Sequence, residues 1–116
     1  MSTSSITPAQ ARQALESGAL VIDVRGDPGR QRDGLIDGAV VVAKADLAEA
    51  LDLASPKKLP QLASLDQAVV LICTTEKGTE PYVAPLRQAG LKNLVHVDGG
   101  VAAWKEQGLP TTPIAG

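Results

Sequence analysis

Two short, almost wholly apolar runs constrain the fold of this chain more than any other feature of its sequence. They span residues 20–24 and 68–73, have the length of strands and are rich in β-branched side chains. Strands with one solvated face alternate apolar and polar residues, whereas strands buried on both faces are continuously apolar. The runs therefore predict a parallel sheet covered by helices on both faces. Two weaker runs, at 39–42 and 94–97, are expected to add further strands.

Helical segments are predicted between these strands. Thr7, Pro8 and Gln10 have the spacing of a capping box with proline in the first turn, which opens a helix. The predicted helices cover residues 8–16, 46–53, 79–89 and 101–107, with a short helical turn at 60–65. Pro85 falls inside one of them and removes a backbone donor there, which costs about 3 kcal/mol unless the helix kinks. Strands that alternate with helices predict an α/β domain with right-handed crossovers.

Length and composition bound the class of protein. The chain has 116 residues, 44% of them hydrophobic, and a formal net charge of −2. We expect a single domain over residues 1–116, with a core at about 6–110, short flexible tails and a loose segment from residue 111. The absence of a Lys/Arg run argues against nucleic-acid binding. No segment resembles a signal peptide or approaches the ~20 apolar residues of a membrane span, so we expect a cytoplasmic protein that binds no membrane. The oligomeric state stays open.

The only cysteine of the chain, Cys73, ends the most apolar run. A single cysteine excludes an internal disulfide and a cysteine-based zinc site, and we expect no metal. Functional sites of open α/β sheets lie at the carboxyl ends of strands, where backbone amides and a helix dipole would stabilise a thiolate. The loop that follows Cys73 leads into a predicted helix, and Thr79, the last residue of the loop, is predicted to cap that helix. The loop consists of Thr74, Thr75, Glu76, Lys77, Gly78 and Thr79. An inert buried cysteine is the alternative at this point.

Four sequence blocks together resemble the rhodanese-like domain family. They are VIDVR at 21–25, GLIDGA at 34–39, VLIC at 70–73 and VDGGVAAWKEQGLP at 97–110. The resemblance implies a three-layer α/β fold, with a five-stranded parallel sheet and helices on both faces. It also implies a sulfurtransferase without a cofactor, in which Cys73 takes a sulfane sulfur as a persulfide and passes it to a thiol or a cyanide-like acceptor. The donor would be thiosulfate, a persulfide or mercaptopyruvate, and the acceptor a thiol that is either free or on a protein.

The loop departs from the family's usual pattern at two positions. Active members have glycine where Glu76 stands and arginine where Gly78 stands. Glu76 would repel an anionic donor, and Lys77 would be the only cation on the loop. Gly78 is expected to supply the backbone flexibility of the missing glycine. The competing interpretation is therefore a binding or regulatory module with weak or no thiosulfate activity, and a variant with Glu76→Gly and Gly78→Arg is expected to discriminate between the two.

Loop length separates the chain from related cysteine phosphatases. Their loop is one residue longer and carries an arginine six positions after the cysteine, where Thr79 stands here. A phosphatase or an arsenate reductase is therefore not favoured.

A few other residues attract attention but are expected to be structural. Asp23 and Arg25, at the end of the first strong run, are expected to organise loops near the site rather than to act on the substrate. His96 is expected to have no ligand or base role, and Trp104 to anchor the last helix in the core. The charged segment 25–33 is predicted to be a solvated loop.

Overall fold

The computed structural model describes residues 4–114, which form one five-stranded sheet and the helices that cover it. The strands are β1 (Ser5–Ile6), β2 (Leu20–Asp23), β3 (Val40–Val41), β4 (Val69–Ile72) and β5 (Leu94–Val97). Neighbouring strands are parallel throughout, in the order β1-β5-β4-β2-β3. The predicted α/β fold with a five-stranded parallel sheet is therefore confirmed. The strand that the apolar pattern missed is β1, a two-residue edge strand.

Helices follow most of the strands, and the first begins where its capping pattern predicts. The helices are α1 (Pro8–Glu16), α2 (Asp27–Asp33), α3 (Leu47–Ala50), α4 (Glu80–Gln88) and α5 (Gly100–Glu106). At the start of α1, Gln10 donates its backbone N–H to Thr7 Oγ1 at 3.1 Å, and Thr7 donates its own to Gln10 Oε1 at 2.9 Å. Pro85 lies inside α4 as predicted. None of the helices among residues 4–114 is long and apolar enough to cross a membrane.

Three helix predictions differ from the structure. The helix predicted at 46–53 is a 3₁₀ turn at Lys44–Asp46 followed by the single turn of α3, and residues 60–65 form no helix. The charged segment predicted as a solvated loop contains α2 instead. Its signals were present in the sequence: Asp27 lies in the first turn and Arg30 and Arg32 in the last, an arrangement that complements the helix dipole.

The sheet separates two hydrophobic cores, because successive side chains of a strand point to opposite faces. Ile22 and Leu71 point to the face covered by α3 and α4, and Cys73 belongs to the same cluster. Val21 and Val70 point to the face covered by α1 and α5. Every residue of β2 and β4 is buried, which is the physical reason why both sequence runs are almost wholly apolar.

Trp104 anchors α5 in the second core, as predicted, with 3% of its surface exposed. Its indole N–H donates to the carbonyl of Pro110 at 2.8 Å, so the residue that packs the helix also holds the chain after it. Farther on, Thr112 and Leu35 form an antiparallel bridge with N···O distances of 2.7 and 2.8 Å. The prediction of a loose segment from residue 111 is therefore wrong at Thr112, while the outermost parts of the tails predicted beyond about 6–110, at residues 1–3 and 115–116, lie outside the described residues.

Candidate active site

The strand order creates a crevice at the carboxyl ends of β2 and β4. The chain leaves β2 for β3 on one side and then crosses to β4 on the other, and ligands bind at such switch points of open α/β sheets. Asp23, the last residue of β2, is paired in register with Ile72 of β4, directly before Cys73. The fold thus brings two of the predicted site residues to the same edge of the sheet.

The first turn of α5 holds the start of the Cys73 loop. Val101 donates its backbone N–H to the carbonyl of Cys73 at 2.8 Å, and Ala102 donates to that of Thr74 at 3.0 Å. Gly100 has a φ of +60°, and a Cβ at this position would lie 2.4 Å from the Cys73 oxygen. Only glycine permits so close an approach in this conformation. This explains the second glycine of the Gly-Gly pair in the block at 97–110.

Gly78 lies directly against the cysteine side chain. A Cβ at position 78 would stand 2.3 Å from Cys73 Sγ and 2.8 Å from Cys73 Cβ. Gly78 is not among the glycines with positive φ, so close approach rather than backbone freedom requires glycine here, and the expected flexibility role is wrong. The same contact means that Gly78→Arg cannot restore the family's arginine unless the loop shifts. The proposed double variant is therefore not a clean test of the site.

The ammonium group of Lys44, which no sequence motif indicated, also lies close to Cys73 and Gly78. Lys44, on the 3₁₀ turn after β3, has its Nζ 3.2 Å from the point where a Cβ of residue 78 would stand, and Cys73 Sγ is 2.3 Å from that point. Nζ and Sγ are therefore separated by no more than the sum of these distances. Lys44 is half-buried and has no carboxylate partner within residues 4–114. An unpaired cation so placed stabilises negative charge on the sulfur.

The arginines near the loop are already paired. Arg32 Nη2 lies 3.5 Å from Thr74 Oγ1, yet its Nε and Nη2 also donate to Asp33 Oδ2 at 3.1 and 2.9 Å. The hydrogen bond from Arg32 holds the pKa of Asp33 below its usual range. Arg30 is likewise paired with Asp27. Among residues 4–114, Lys44 is thus the cation from another element that lies near Cys73 Sγ and has no carboxylate partner.

The end of the loop is a tight turn that uses some of its own amides. Gly78 donates to the carbonyl of Thr75 and Thr79 donates to that of Glu76, both at 3.1 Å. Two of the six amide groups from Thr74 to Thr79 are therefore engaged within the loop. Thr79 occupies the N-cap position of α4, but its side chain does not cap the helix, which corrects the predicted capping role. Lys77 is exposed and Glu76 is half-buried.

The Asp23–Arg25 pair organises the chain after β2. Arg25 donates Nε to Asp23 Oδ1 at 2.9 Å and Nη2 to Oδ2 at 2.7 Å, and both side chains are buried. Arg25 also donates to the carbonyls of Gly29, at 3.4 Å, and Gly34, at 2.8 Å. These carbonyls lie within and just after α2. The guanidinium thus ties α2 to the end of β2, close to the Cys73 loop.

His96 is a buried residue that no sequence motif connects with the loop. Its Nδ1 lies 2.7 Å from Thr79 Oγ1, and its Nε2 lies 3.2 Å from Ser5 Oγ and 3.3 Å from Glu80 Oε2. The contact with Thr79 depends on β5 lying beside β4, so no local sequence pattern could have revealed it.

Fold and site together define a small α/β domain whose only cysteine lies after the central strand, at the mouth of a short loop. The sequence profile described as the Rhodanese-like domain matches residues 7–107, and the chain belongs to this family.

The relatives agree with this assignment. The probable adenylyltransferase/sulfurtransferase MoeZ of Mycobacterium tuberculosis is 38% identical over 109 residues, which are 92% of this chain but only 26% of MoeZ. The thiosulfate sulfurtransferase GlpE of Pseudomonas aeruginosa is 30% identical over 100 residues, or 86% of this chain and 82% of GlpE. RPA3614 of Rhodopseudomonas palustris, described as a possible tyrosine phosphatase of unknown function, superposes with a TM-score of 0.81 at 26% identity, covering 92% of this chain and 83% of that one. The chain therefore spans about a quarter of MoeZ but most of GlpE.

Proposed function

We propose that this domain is a sulfurtransferase that carries a sulfane sulfur on Cys73. The observation that carries the proposal is the juxtaposition of the Cys73 thiol, the bare backbone of Gly78 and the unpaired ammonium group of Lys44. The donor and the persulfide are both anionic, and an unpaired ammonium group at this distance attracts negative charge to the sulfur. The names of the relatives MoeZ and GlpE support the same class of reaction.

The reaction needs two transfers at the same sulfur. In the first, the Cys73 thiolate attacks the outer sulfur of thiosulfate, an S–S bond to the enzyme forms, and the S–S bond of the donor breaks as sulfite leaves with the electron pair. In the second, an acceptor thiolate or cyanide attacks the terminal sulfur of the persulfide, and Cys73 leaves as a thiolate. Total charge is conserved in each step, and the protein provides a cation and backbone dipoles rather than a cofactor.

Lys44 suits this chemistry because it replaces a charge that the loop lacks. The loop has no arginine, and its own cation, Lys77, is exposed. Lys44 also lines a cavity of about 390 Å³ together with Arg25, Asp27 and Arg30, and this cavity adjoins the site without including Cys73 or its loop. The donor in this proposal is thiosulfate, a persulfide or mercaptopyruvate, and the acceptor is a thiol, free or on a protein. A reducing cytoplasm would keep a lone thiol available for it.

One observation favours a second function. Glu76 places a half-buried carboxylate on the same loop, where it opposes an anionic donor. A domain that binds or regulates a partner without turnover would tolerate this charge, and Cys73 would then stay unmodified.

Intact-mass measurement separates the two functions. The native chain is incubated with thiosulfate, with mercaptopyruvate or with a persulfidated thiol, beside Cys73→Ala as the control. We expect one added sulfur atom on the native chain, its removal by cyanide, and no addition to the control. Because Cys73 is the only cysteine, the position of the sulfur is unambiguous. If no donor adds sulfur while an alkylating reagent still reaches the thiol, the sulfurtransferase proposal is wrong and the binding function stands.

A further inference from the structure

A buried hydrogen-bond chain runs from His96 to the loop that bears Cys73. The exposed fractions of His96 and Thr79 are 1% and 0%, and their Nδ1 and Oγ1 atoms lie 2.7 Å apart. Thr79 Oγ1 is also 3.1 Å from the carbonyl oxygen of Glu76. Between Glu76 and Thr79 stands Gly78, whose backbone lies against Cys73 Sγ. This hydrogen-bond chain therefore ends at the tight turn that lies against the sulfur of Cys73.

The Thr79 hydroxyl has one proton and can donate to one acceptor. Whether it donates to Glu76 or to His96 depends on whether Nδ1 of the imidazole carries a proton. When Nδ1 of His96 carries a proton, it donates to Thr79 Oγ1, and the hydroxyl of Thr79 is free to donate to the carbonyl of Glu76. When Nδ1 is bare, it accepts the hydroxyl proton, and Glu76 loses that donor. The turn over Cys73 is therefore held most firmly when Nδ1 is protonated.

The other side of the ring meets groups from two further elements. Nε2 lies 3.2 Å from Ser5 Oγ on β1 and 3.3 Å from Glu80 Oε2 on α4. The hydroxyl of Ser5 can donate to a bare Nε2, which leaves the proton on Nδ1. The carboxylate of Glu80, whose side chain is 69% exposed, can accept from a proton on Nε2. The half-buried Ser5 hydroxyl thus favours a proton on Nδ1, whereas donation from Nε2 to the exposed Glu80 carboxylate would leave Nδ1 bare.

We propose that His96 is a positioning residue for Cys73, which acts through Thr79 and the carbonyl of Glu76. Its Nδ1–H orients the Thr79 hydroxyl, the hydroxyl holds the turn at Glu76–Gly78, and the turn keeps Gly78 over Sγ. The consequence for sulfur transfer rests on the proposed function, whereas the effect on the cover over the thiol does not.

Two pairs of variants separate this role from a general loss of stability. His96→Asn keeps an amide near the position of Nδ1, facing Thr79, whereas His96→Gln keeps one near Nε2, facing Ser5. Thr79→Ser keeps the hydroxyl, whereas Thr79→Val has nearly the same shape without it. Within each pair, only the second variant breaks the chain to Glu76.

The primary measurement is the rate at which iodoacetamide alkylates Cys73, the single thiol of the chain. His96→Gln and Thr79→Val are expected to raise this rate about fivefold, the effect of losing one hydrogen bond that keeps the turn closed. His96→Asn and Thr79→Ser are expected to stay within about twofold of the native rate. Equal rates within each pair, or no increase in either Thr79→Val or His96→Gln, would overturn the proposal. Should the His96 variants not fold, the two Thr79 variants decide the question alone.

A spectroscopic signature tests the proton directly. His96 is the only histidine, so its ring nitrogens can be assigned without ambiguity in the NMR spectrum of the full chain. We expect Nδ1 to be protonated, and its resonance to shift in Thr79→Val. A ring protonated only on Nε2 would contradict the assignment.

Sulfur loading provides the link to function without confusing the two proposals. If Cys73 accepts sulfur, His96→Gln and Thr79→Val are expected to lower the rate of loading about fivefold while they raise the rate of alkylation. If the native chain accepts no sulfur, the alkylation rates and the NMR result still support or overturn the positioning role of His96.

Discussion

The carboxyl ends of β2 and β4 lie side by side in the sheet, yet the charged groups are paired at one end and unpaired at the other. At the end of β2, Asp23 and Arg25 are buried and satisfy each other with a two-pronged ion pair. At the end of β4, the charges come from separate elements: Lys44 approaches Cys73 without a carboxylate partner among residues 4–114, and Glu76 stands on the loop itself. A fully paired charge builds structure, whereas an unpaired one is available to a ligand.

This contrast assigns different consequences to changes at the two strand ends. Substitutions at the end of β2 should act on folding, because a buried charge without its partner is costly. Substitutions at the end of β4 should act on the chemistry of the sulfur and leave the fold largely intact. Four variants test that division.

Asp23→Asn is expected to have the largest effect. It leaves the Arg25 guanidinium buried without its counter-charge, which should lower the free energy of unfolding by about 3–5 kcal/mol. Urea denaturation followed by circular dichroism measures this loss. The matched control is Glu49→Gln, which removes a charge from an exposed pair with Lys57 and should change stability by less than about 1 kcal/mol. Similar losses in both variants would show that the buried pair is not structural.

Gly78→Ala is expected to act mainly on the sulfur. The new methyl group would stand 2.3 Å from Cys73 Sγ, so the sulfur or the loop must move. A displacement of about 1 Å at a reacting atom costs about a hundredfold in rate, and we expect that loss in persulfide formation from thiosulfate. Gly26→Ala is the control, because its Cβ would meet its nearest neighbour, Pro28, at 3.7 Å. Native rates in Gly78→Ala would contradict the close contact.

Lys44→Met removes the cation but keeps an unbranched side chain that is only one atom shorter. We expect persulfide formation from thiosulfate to slow about tenfold in this variant. In the native chain, high ionic strength should lower the rate less than it would if the cation were fully exposed, because a half-buried charge is screened less by salt. Lys92→Met is the charge-matched control, since Lys92 precedes β5 and so lies at the amino ends of the parallel strands, whereas Cys73 follows the carboxyl end of β4. The role of Lys44 would be refuted if both variants loaded sulfur at the same rate.

Glu76→Gln is expected to have the smallest effect and the opposite sign. Removal of the carboxylate should speed loading from thiosulfate about threefold, because the half-buried charge repels an anion through a partly aqueous medium. Loading from mercaptopyruvate, which has one negative charge instead of two, should rise less. A rate that falls with both donors would assign Glu76 a direct part in the transfer.

Much of this architecture could be predicted from local sequence. The apolar runs predicted β2 and β4 because both faces of these strands are buried, and the capping box predicted the start of α1 because it depends on four consecutive residues. The packing of Trp104 followed from its size. Two elements were missed. β1 is too short for any periodicity to appear, and α2 has no buried residue, so that only its charges indicated a helix.

The site was predictable only where it follows the chain. Cys73 and the loop to Thr79 are contiguous, so their place after β4 followed from the sequence. Lys44 follows β3 and His96 lies on β5. The order of the strands places both residues near the loop, and no local sequence pattern encodes that order. The role of Gly78 was also misjudged, because close approach to a side chain is a property of packing rather than of backbone conformation.

The sequence by itself therefore determined the class of fold, the position of the thiol and the family of the chain. These depend on hydrophobic burial and on short-range hydrogen bonds, both of which leave a pattern along the chain. The tertiary structure alone decided which charged groups form ion pairs with each other and which lie near the sulfur of Cys73. Coulombic and hydrogen-bond partners are selected by distance in space, and in a parallel sheet that distance is set by the crossovers rather than by separation in sequence.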